Sequence, residues 1–458
     1  MYEGEYGSSI SGTGEALHAY PGDLTRFVRE RWEETPVEAE DVYGASGRPS
    51  LDGPELDEEV LGALLSGCYQ ASLLREEERE VSFRTVLAEP ALFDPDGGPP
   101  DGFHRLEFPS TRPFNARELR RLSVAADFHR SLIGVRLDAE GRLRIWGLLQ
   151  SGSRWLRDSR GGRRAGAAPP PVPVVHVIAP GSIEARKGYE LVGKLEAGKI
   201  AGSQADLFES EWLQAEFSGL REEFVALHEA ARNQARRRSG EIWPPLEPEL
   251  DRKIAERKLK RVISVVRDSH HGGTMIFLPL DIKGELCGEN PYMEIKYPFE
   301  EGKPRVRFRD LTVGLMNRMA SIHDSEDPDD SGPVRWEEFE TTTDGEIAAL
   351  DEALFEMAYL IAGLAATDGA VVMDKRHELL GFGAEISGRL PDVRTVSRAL
   401  DLEGNELREE AAENGGTRHR SAYRLAGALP GVLLVVVSQD GDVRFISSRE
   451  GRVIYWEQ

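Results

Sequence analysis

The feature that most constrains the fold is an alternation of apolar helix patterns with short β-branched runs in the C-terminal half of the chain. Glu346–Ala366 is apolar almost throughout, which predicts a core helix, and it is followed by the strand pattern Ala370–Asp374. Gly431–Val437 reads GVLLVVV, which is typical of a buried strand. Because strands that alternate with helices characterise α/β domains, we predict an α/β domain over residues 246–458.

The N-terminal half has a different pattern and predicts a separate domain over residues 1–205. Short β-branched or aromatic runs fill Leu132–Ile200, and Gly, Pro and Asp turns separate them. Helical patterns precede these runs, so the domain is expected to be β-rich and α+β. Residues 206–245 read as a helical linker, because one long helical pattern covers Ser210–Arg238 and prolines follow from Pro244.

Composition narrows the class of partner. The net charge of −23 disfavours nucleic acid and anionic membranes as partners, since both are polyanions. No stretch approaches the roughly 20 apolar residues of a membrane helix, and the N-terminus lacks the pattern of a secretory signal. The two cysteines, Cys68 and Cys287, have no metal-ligand spacing and do not suggest a disulfide framework. We therefore expect a cytoplasmic protein.

A first candidate motif is TDGAVVMD, Thr367–Asp374. Asp368 lies between the long apolar helix and a strand, and strand ends are where α/β sheets usually place ligands. Gly369 carries no side chain, so a ligand can approach the backbone there. The alternative is an ordinary turn aspartate, because Asp-Gly is a common turn pair.

A second candidate motif is GGTRHRSA, Gly415–Ala422, at the start of a helical pattern. Backbone N–H groups at a helix N-terminus near glycines bind anions, and the guanidinium groups of Arg418 and Arg420 match phosphate oxygens. Thr417 adds a hydroxyl donor. Two cations at this end also oppose the helix dipole, which indicates that an anion is expected there. The alternative is a solvated basic turn.

A third candidate motif is VVVSQDGD, Val435–Asp442, where a buried strand ends in Ser438. Asp440 could be a second carboxylate directed at a metal ion, and the alternative is a hairpin aspartate. By contrast, GKLEAGK at Gly193–Lys199 only partly fits a phosphate-binding P-loop. Ile200 replaces the Ser or Thr that would bind magnesium, so this segment is interpreted as a β-turn.

These motifs occur in the order found in a known family. From about Arg252 to the C-terminus the chain resembles the diadenylate cyclase (DAC) domain, with GGTMIFLP, DGAVVM, GFGAEI, GTRHRSA and VVVSQDG as the matching pieces. The N-terminal half is similar to the sensor domains of the DACNV type that precede some DAC domains. The resemblance implies a mixed β-sheet flanked by helices in the C-terminal domain and an unidentified ligand for the N-terminal one.

The resemblance also implies a set of functional residues and a divalent cofactor, Mg²⁺ or Mn²⁺. The implied catalytic residues are Asp368, Gly369, Ala370, Arg418, His419 and Arg420. The implied nucleotide-binding residues are Gly416, Thr417, Ile386 and Ser438, and the implied metal ligands are Asp368 and Asp440.

The implied reaction joins two ATP molecules into cyclic di-AMP and releases pyrophosphate. It requires a homodimer or higher homo-oligomer in which two DAC domains face each other. This chain departs from the family at Gln439-Asp440, where two glutamates are usual, and in long insertions between its motifs. A nucleotide-binding sensor or interaction protein without catalysis, or a cyclase that makes a related dinucleotide, therefore remains an alternative.

Overall fold

The structure is a computed structural model that divides into two compact units, with the boundary near residue 203. It describes residues 18–35, 57–99, 102–128, 130–151, 171–188, 190–202, 206–269, 271–281, 290–323, 332–439 and 441–458. Within these ranges the protein is mixed α and β, with large sheets and packed helices. The predicted α/β class is confirmed at this level.

The N-terminal unit is a sheet covered by helices. Its helices are α1 (Pro21–Arg31), α2 (Glu58–Ser72) and α3 (Ala116–Ser123). Its strands are β1 (Arg75–Glu76), β2 (Arg79–Glu80), β3 (Phe83–Leu87), β4 (His104–Pro113), β5 (Ser131–Leu137), β6 (Leu143–Gln150), β7 (Pro173–Ala179), β8 (Ser182–Lys187), β9 (Glu190–Glu196) and β10 (Lys199–Gly202). The described residues form an eight-stranded sheet in the order β10-β9-β8-β7-β3-β5-β6-β4.

This order is almost wholly antiparallel, as expected for a β-rich α+β domain, and only β3 and β5 run parallel. Helix α2 begins at the cap residue Asp57, whose carboxylate accepts a hydrogen bond from the Glu59 N–H. The segment that partly fits a P-loop is a hairpin: β9 and β10 pair around Ala197 and Gly198, both at positive φ. The interpretation of this segment as a β-turn is confirmed.

The C-terminal unit has longer helices. They are α4 (Glu211–Glu216), α5 (Ser218–Arg238), α6 (Pro248–Asp268), α7 (Arg307–Ile322), α8 (Trp336–Thr341), α9 (Gly345–Ala365) and α10 (Thr417–Ala428). Its strands are β11 (Gly273–Leu278), β12 (Met293–Pro298), β13 (Ala370–Asp374), β14 (Leu379–Ile386), β15 (Thr395–Ala399), β16 (Leu407–Ala411), β17 (Leu433–Val437), β18 (Val443–Arg449) and β19 (Arg452–Glu457). Short 3₁₀ turns cover Pro90–Leu92, Leu207–Glu209, Lys303–Val306 and Ala412–Asn414.

The described strands of this unit form one mixed sheet in the order β12-β14-β13-β11-β17-β18-β19-β15-β16. Strands β11 and β13 run parallel in its centre, and β17 lies antiparallel on the other side of β11. The central strands are fully buried and rich in Val, Leu and Ile, as expected for strands covered on both faces. Helices α6 and α9 pack on one face, where Val262 and Ile361 join the same core as Met275. Helix α10 packs on the other face.

Helix α9 shows why an apolar segment of this length folds inside a protein. Asp344 caps its N-terminus by accepting hydrogen bonds from the N–H groups of Glu346 and Ile347. Its buried side chains contact α6, α7 and the sheet, while Glu356, Tyr359 and Gly363 on the remaining side are exposed. In the part of the chain that the structure describes, no helix is long and apolar enough to cross a membrane.

The segment predicted as a linker, residues 206–245, is part of the C-terminal unit. Phe208 and Leu213 lie in the main core of that unit, and Leu220 and Phe224 lie in a second core with α7. The prediction of one continuous helix over Ser210–Arg238 is wrong, because the chain breaks between α4 and α5 at Phe217. Tertiary packing of the Phe217 ring against Phe277, with centroids 5.4 Å apart, overrides the local helical preference.

Candidate nucleotide site

Residues from four distant parts of the sequence meet at one edge of the C-terminal sheet. The parallel register pairs Met275 with Val371, which brings Gly273 level with Gly369. On the other side of β11, Gly273 pairs with Val437, so Ser438 lies level with Gly272. The start of β11, the start of β13 and the end of β17 therefore share this edge.

Strand β14 runs antiparallel to β13 and ends at the same edge. Ala384 pairs with Ala370, so β14 runs past the start of β13 and ends at Ile386. The row of residues at this edge, which we call the motif edge, comprises Ile386 at the end of β14, Asp368 before β13, Gly272 before β11 and Ser438 after β17. At about 4.8 Å per strand, these four neighbouring strands span roughly 14 Å.

The position of Asp368 relative to its strand differs from expectation. Ligands in open α/β sheets usually bind at the carboxyl ends of the strands, but Asp368 precedes β13 and lies at its amino end. The reason is local, because the chain leaves α9 at Ala365 and turns directly into β13 through Asp368 and Gly369.

Gly369 fixes the turn that carries Asp368. Its φ is +102°, in the region that only glycine adopts readily. A Cβ on Gly369 would lie 2.6 Å from the carbonyl carbon of Gly383, which itself has φ +66°. Two sequence motifs, DGA and GFGAEI, thus meet backbone to backbone.

We expect Gly369→Ala to destabilise the protein by more than about 2 kcal/mol, because strain at positive φ adds to a backbone clash. Gly363→Ala is the matched control. Gly363 is exposed in α9, and a Cβ placed on it would have no atom within 4 Å. Alanine at this position should therefore stabilise the protein by up to about 1 kcal/mol. Denaturant unfolding checks both variants, and equal midpoints for the two would contradict the tight approach to Gly383.

The Asp368 carboxylate is exposed and forms no hydrogen bond or ion pair with a described residue. Lys296, from the edge strand β12, is close enough to interact with it. The pKa of Lys296 is raised first by its hydrogen bond to Glu385, and Asp368 adds to this effect. Beside Lys296, Tyr297 is 56% exposed and stacks on Phe382, with ring centroids 4.8 Å apart.

Lys296 and Tyr297 were not among the predicted site residues. They reach the motif edge because β12 pairs with β14, and the Tyr297 ring lies 3.1 Å from where a Cβ on Gly383 would be. The alternation of Met293, Ile295 and Tyr297 indicates a strand, but nothing in it identifies the strand's partner.

The N-terminus of α10 supplies positive potential at the other end of the row. Gly416 caps the helix without a side-chain hydrogen bond, and its first turn has no acidic residue. A Cβ on Gly272 would lie 2.9 Å from Nη1 of Arg418, so this guanidinium lies over the start of β11. Arg418 and Arg420 are exposed and form no ion pair with any described residue. Thr417, the first helical residue, is also exposed.

His419 differs from its two neighbours because it is 8% exposed and lies near Tyr423. Burial lowers its pKa to about 4, nearby Arg444 and Arg418 add to this effect, and Asp442 opposes it. The ring is therefore neutral at pH 7. Its Nε2 atom is buried and has no hydrogen-bond partner among the described residues. His419 is thus a neutral group that can donate or accept one hydrogen bond.

The lowered pKa of His419 predicts an acid-sensitive contribution to stability. Between pH 6.5 and about 4 the unfolded state takes up a proton at this ring and the folded state does not, so the free energy of unfolding falls as pH falls. The loss is roughly 2–3 kcal/mol for this group. We expect His419→Gln to reduce the drop in melting temperature between pH 7 and pH 5. His271→Gln, at an exposed histidine, is the control, and an equal reduction in both variants would contradict the assignment.

The third motif forms a turn that is closed by two hydrogen bonds between Ser438 and Asp442. The Ser438 hydroxyl accepts a hydrogen bond from the Asp442 N–H at 3.0 Å, and the Ser438 N–H donates to the Asp442 carbonyl. Ser438 is thus at the motif edge, with its hydroxyl hydrogen still able to donate to a ligand. Asp440, the second predicted metal ligand, lies outside the described residues. The Arg267 side chain lies 3.4 Å from the Cβ position of Gly441 and adds a further cation nearby.

The donors present fit a divalent cation of the Mg²⁺ type. Such ions take oxygen ligands, keep several waters, and are commonly held by one or two carboxylates together with substrate phosphates. Asp368 offers an exposed carboxylate that forms no hydrogen bond or ion pair with a described residue. A separate acidic group, Asp206, Glu209 and Glu256, is not assigned a metal, because the Lys260 ammonium already bonds both Asp206 and Glu256.

The comparison with known proteins found a match in the N-terminal unit only. A family model described as "Probable sensor domain DACNV" matches residues 53–150. No curated protein matches the chain, and no solved structure matches it.

Proposed function

We propose that this protein is a diadenylate cyclase whose C-terminal unit joins two ATP molecules into cyclic di-AMP. The observation that carries the proposal is the motif edge itself. Ile386, Asp368, Gly272 and Ser438 lie at the ends of four neighbouring strands, and Arg418 lies over Gly272. The sensor-type match at residues 53–150 supports it, because DACNV sensors precede DAC domains in the family that the motifs resemble.

In this proposal one ATP lies along the row. The adenine lies beside Ile386, which is partly buried against the core on the α10 face of the sheet. The triphosphate lies at the N-terminus of α10, where free N–H groups, Arg418 and Arg420 favour an anion. Asp368 lies between the two ends, at the level expected for the ribose and α-phosphate.

The chemistry follows from this placement. The ribose 3′-oxygen of one ATP attacks the α-phosphorus of the other and loses its proton to solvent. The bond between the α-phosphorus and the bridging oxygen breaks, and pyrophosphate leaves with the electron pair. Arg418 and Arg420 stabilise the negative charge that develops on the departing group. Bound Mg²⁺ or Mn²⁺, held by Asp368, would neutralise phosphate charge.

Because each ATP supplies both a nucleophile and an electrophile, two sites must face each other. A homodimer with two-fold symmetry satisfies this requirement with one interface. The N-terminal unit is proposed to regulate the reaction in response to a ligand of unknown identity.

A second candidate is a nucleotide-binding sensor without catalysis, or a cyclase of related product. It is favoured by Gln439-Asp440, which replaces the usual pair of glutamates, and by the long insertions between the motifs. In the sensor without catalysis, the motif edge binds ATP and does not join two molecules.

The test is incubation of purified protein with ATP and either Mn²⁺ or Mg²⁺, with products identified by mass spectrometry. Cyclic di-AMP as the product supports the cyclase. Another cyclic dinucleotide as the product would favour a cyclase of related product. ATP binding without any product would favour the sensor without catalysis. Absence of both binding and product would contradict the assignment of the motif edge.

A further inference from the structure

The turn between β13 and β14 lies at the opposite end of the hairpin from Asp368 and Gly369. Its residues are Lys375–Glu378, and Asp374 rigidifies it by accepting hydrogen bonds from the N–H groups of Arg376 and Glu378, each at 2.9 Å. Five residues of β13 separate the two ends, a distance of about 17 Å. A strand of this kind transmits a displacement because it is packed on both faces.

Three successive residues of this turn are held by one other segment, residues 206–238, which we call the connector. Lys375 forms an ion pair with Glu216, and Arg376 lies 3.3 Å from Glu223. The ring of His377 packs edge-on against Phe217, with centroids 5.0 Å apart. The connector follows the N-terminal unit in the chain, so it is the first part of the C-terminal unit after the sensor-type region.

The contact at His377 has features of a point that can shift. His377 is a non-glycine residue with φ +58° and is 4% exposed, and Lys258 lies 3.2 Å from its Nδ1. Its Nε2 has no hydrogen-bond partner among the described residues. A cavity of about 70 Å³ is lined by Phe217, His377, Leu220 and Leu259, among others. Phe217 therefore has room to move on one side.

We infer that the connector regulates the proposed cyclase by holding the β13–β14 turn and thereby setting the position of the Asp368 turn at the other end of the hairpin. Only the activity measurement in the test below rests on the proposed function. Glu216, Phe217, Lys375 and His377 are positioning residues, since none of them lies at the motif edge. The turn is also held by the Lys375 N–H, which donates to the Leu278 carbonyl, and by an ion pair between Arg305 and Glu378. Loss of the Glu216–Lys375 pair removes the connector's charged anchor from the turn, and the register of Gly369 against Gly383 loosens.

The test uses charge reversal in the chain of 458 residues. We expect Glu216→Lys and Lys375→Glu each to lower kcat at least about 10-fold, with KM for ATP changed less than about twofold. Hydrogen exchange at residues 366–370 should rise in both. The double reversal, which restores an ion pair, should recover most of kcat and of the protection. Arg398→Glu is the control, because it breaks a pair with Glu457 on distant strands.

Unchanged exchange at residues 366–370 in both single variants would overturn the inference, and so would a double variant as impaired as the singles. The exchange measurement needs no turnover, so it decides the matter even if the wild type makes no cyclic di-AMP. If a reversal unfolds the protein, Glu216→Gln and Lys375→Gln replace it and carry the same expectation for residues 366–370.

Discussion

Asp368→Asn is expected to lower cyclic di-AMP formation by more than about 100-fold, because the amide removes the charge that holds the divalent ion beside the reacting phosphate. The stability of the folded protein should be nearly unchanged, since the Asp368 side chain is exposed and forms no hydrogen bond or ion pair with a described residue. Initial rates at saturating ATP and metal, measured beside melting temperatures, check both statements.

Glu356→Gln provides the matched control for Asp368→Asn. Glu356 is exposed on α9, the helix that leads to Asp368, and its substitution removes one negative charge in the same way. Its rate should stay within about twofold of the wild type. If Asp368→Asn retained full activity, Asp368 would not be the metal ligand, and the proposed reaction would lose its central residue.

Arg418→Gln is expected to weaken ATP binding by roughly 10- to 100-fold, because a charge-assisted hydrogen bond contributes about 1.5–3 kcal/mol. Arg418 has no ion pair with a described residue that could compensate, and it lies over Gly272, at the end of the row where we propose that the triphosphate binds. Calorimetric titration with ATP and Mg²⁺ measures the change directly. AMP, which lacks the β- and γ-phosphates, should show a smaller difference between variant and wild type.

Arg424→Gln is the control on the same helix. Arg424 lies beyond the first turn of α10 and forms an ion pair with Asp392 at 2.7 Å. Its loss should leave ATP affinity nearly unchanged. Equal weakening by Arg418→Gln and Arg424→Gln would show that general charge, and not the N-terminus of α10, attracts the nucleotide.

Local patterns were enough to predict most single elements near the site. Helix α10 begins at Thr417 directly after two glycines, and β17 covers the β-branched run Leu433–Val437, both as predicted. These elements follow from periodicity and turn residues, which are local properties of the chain.

Contacts between distant segments could not be predicted in the same way. The approach of Gly369 to Gly383 and the arrival of Tyr297 depend on strand pairing, which the sequence pattern leaves open. The break at Phe217 depends on a tertiary contact with Phe277. The resemblance to the DAC family indicated Asp368, Gly369 and Ser438, which lie at the motif edge. It did not indicate how the connector contacts the β13–β14 hairpin.

The most direct test of the account is the dependence of cyclic di-AMP formation on protein concentration at saturating ATP and Mn²⁺. Two facing sites predict that specific activity rises with protein concentration and then levels off once the dimer is fully populated. A specific activity that is constant down to concentrations where the protein is monomeric would contradict a reaction shared between two copies. Absence of cyclic di-AMP at every concentration, with ATP bound at the motif edge, would contradict the cyclase itself.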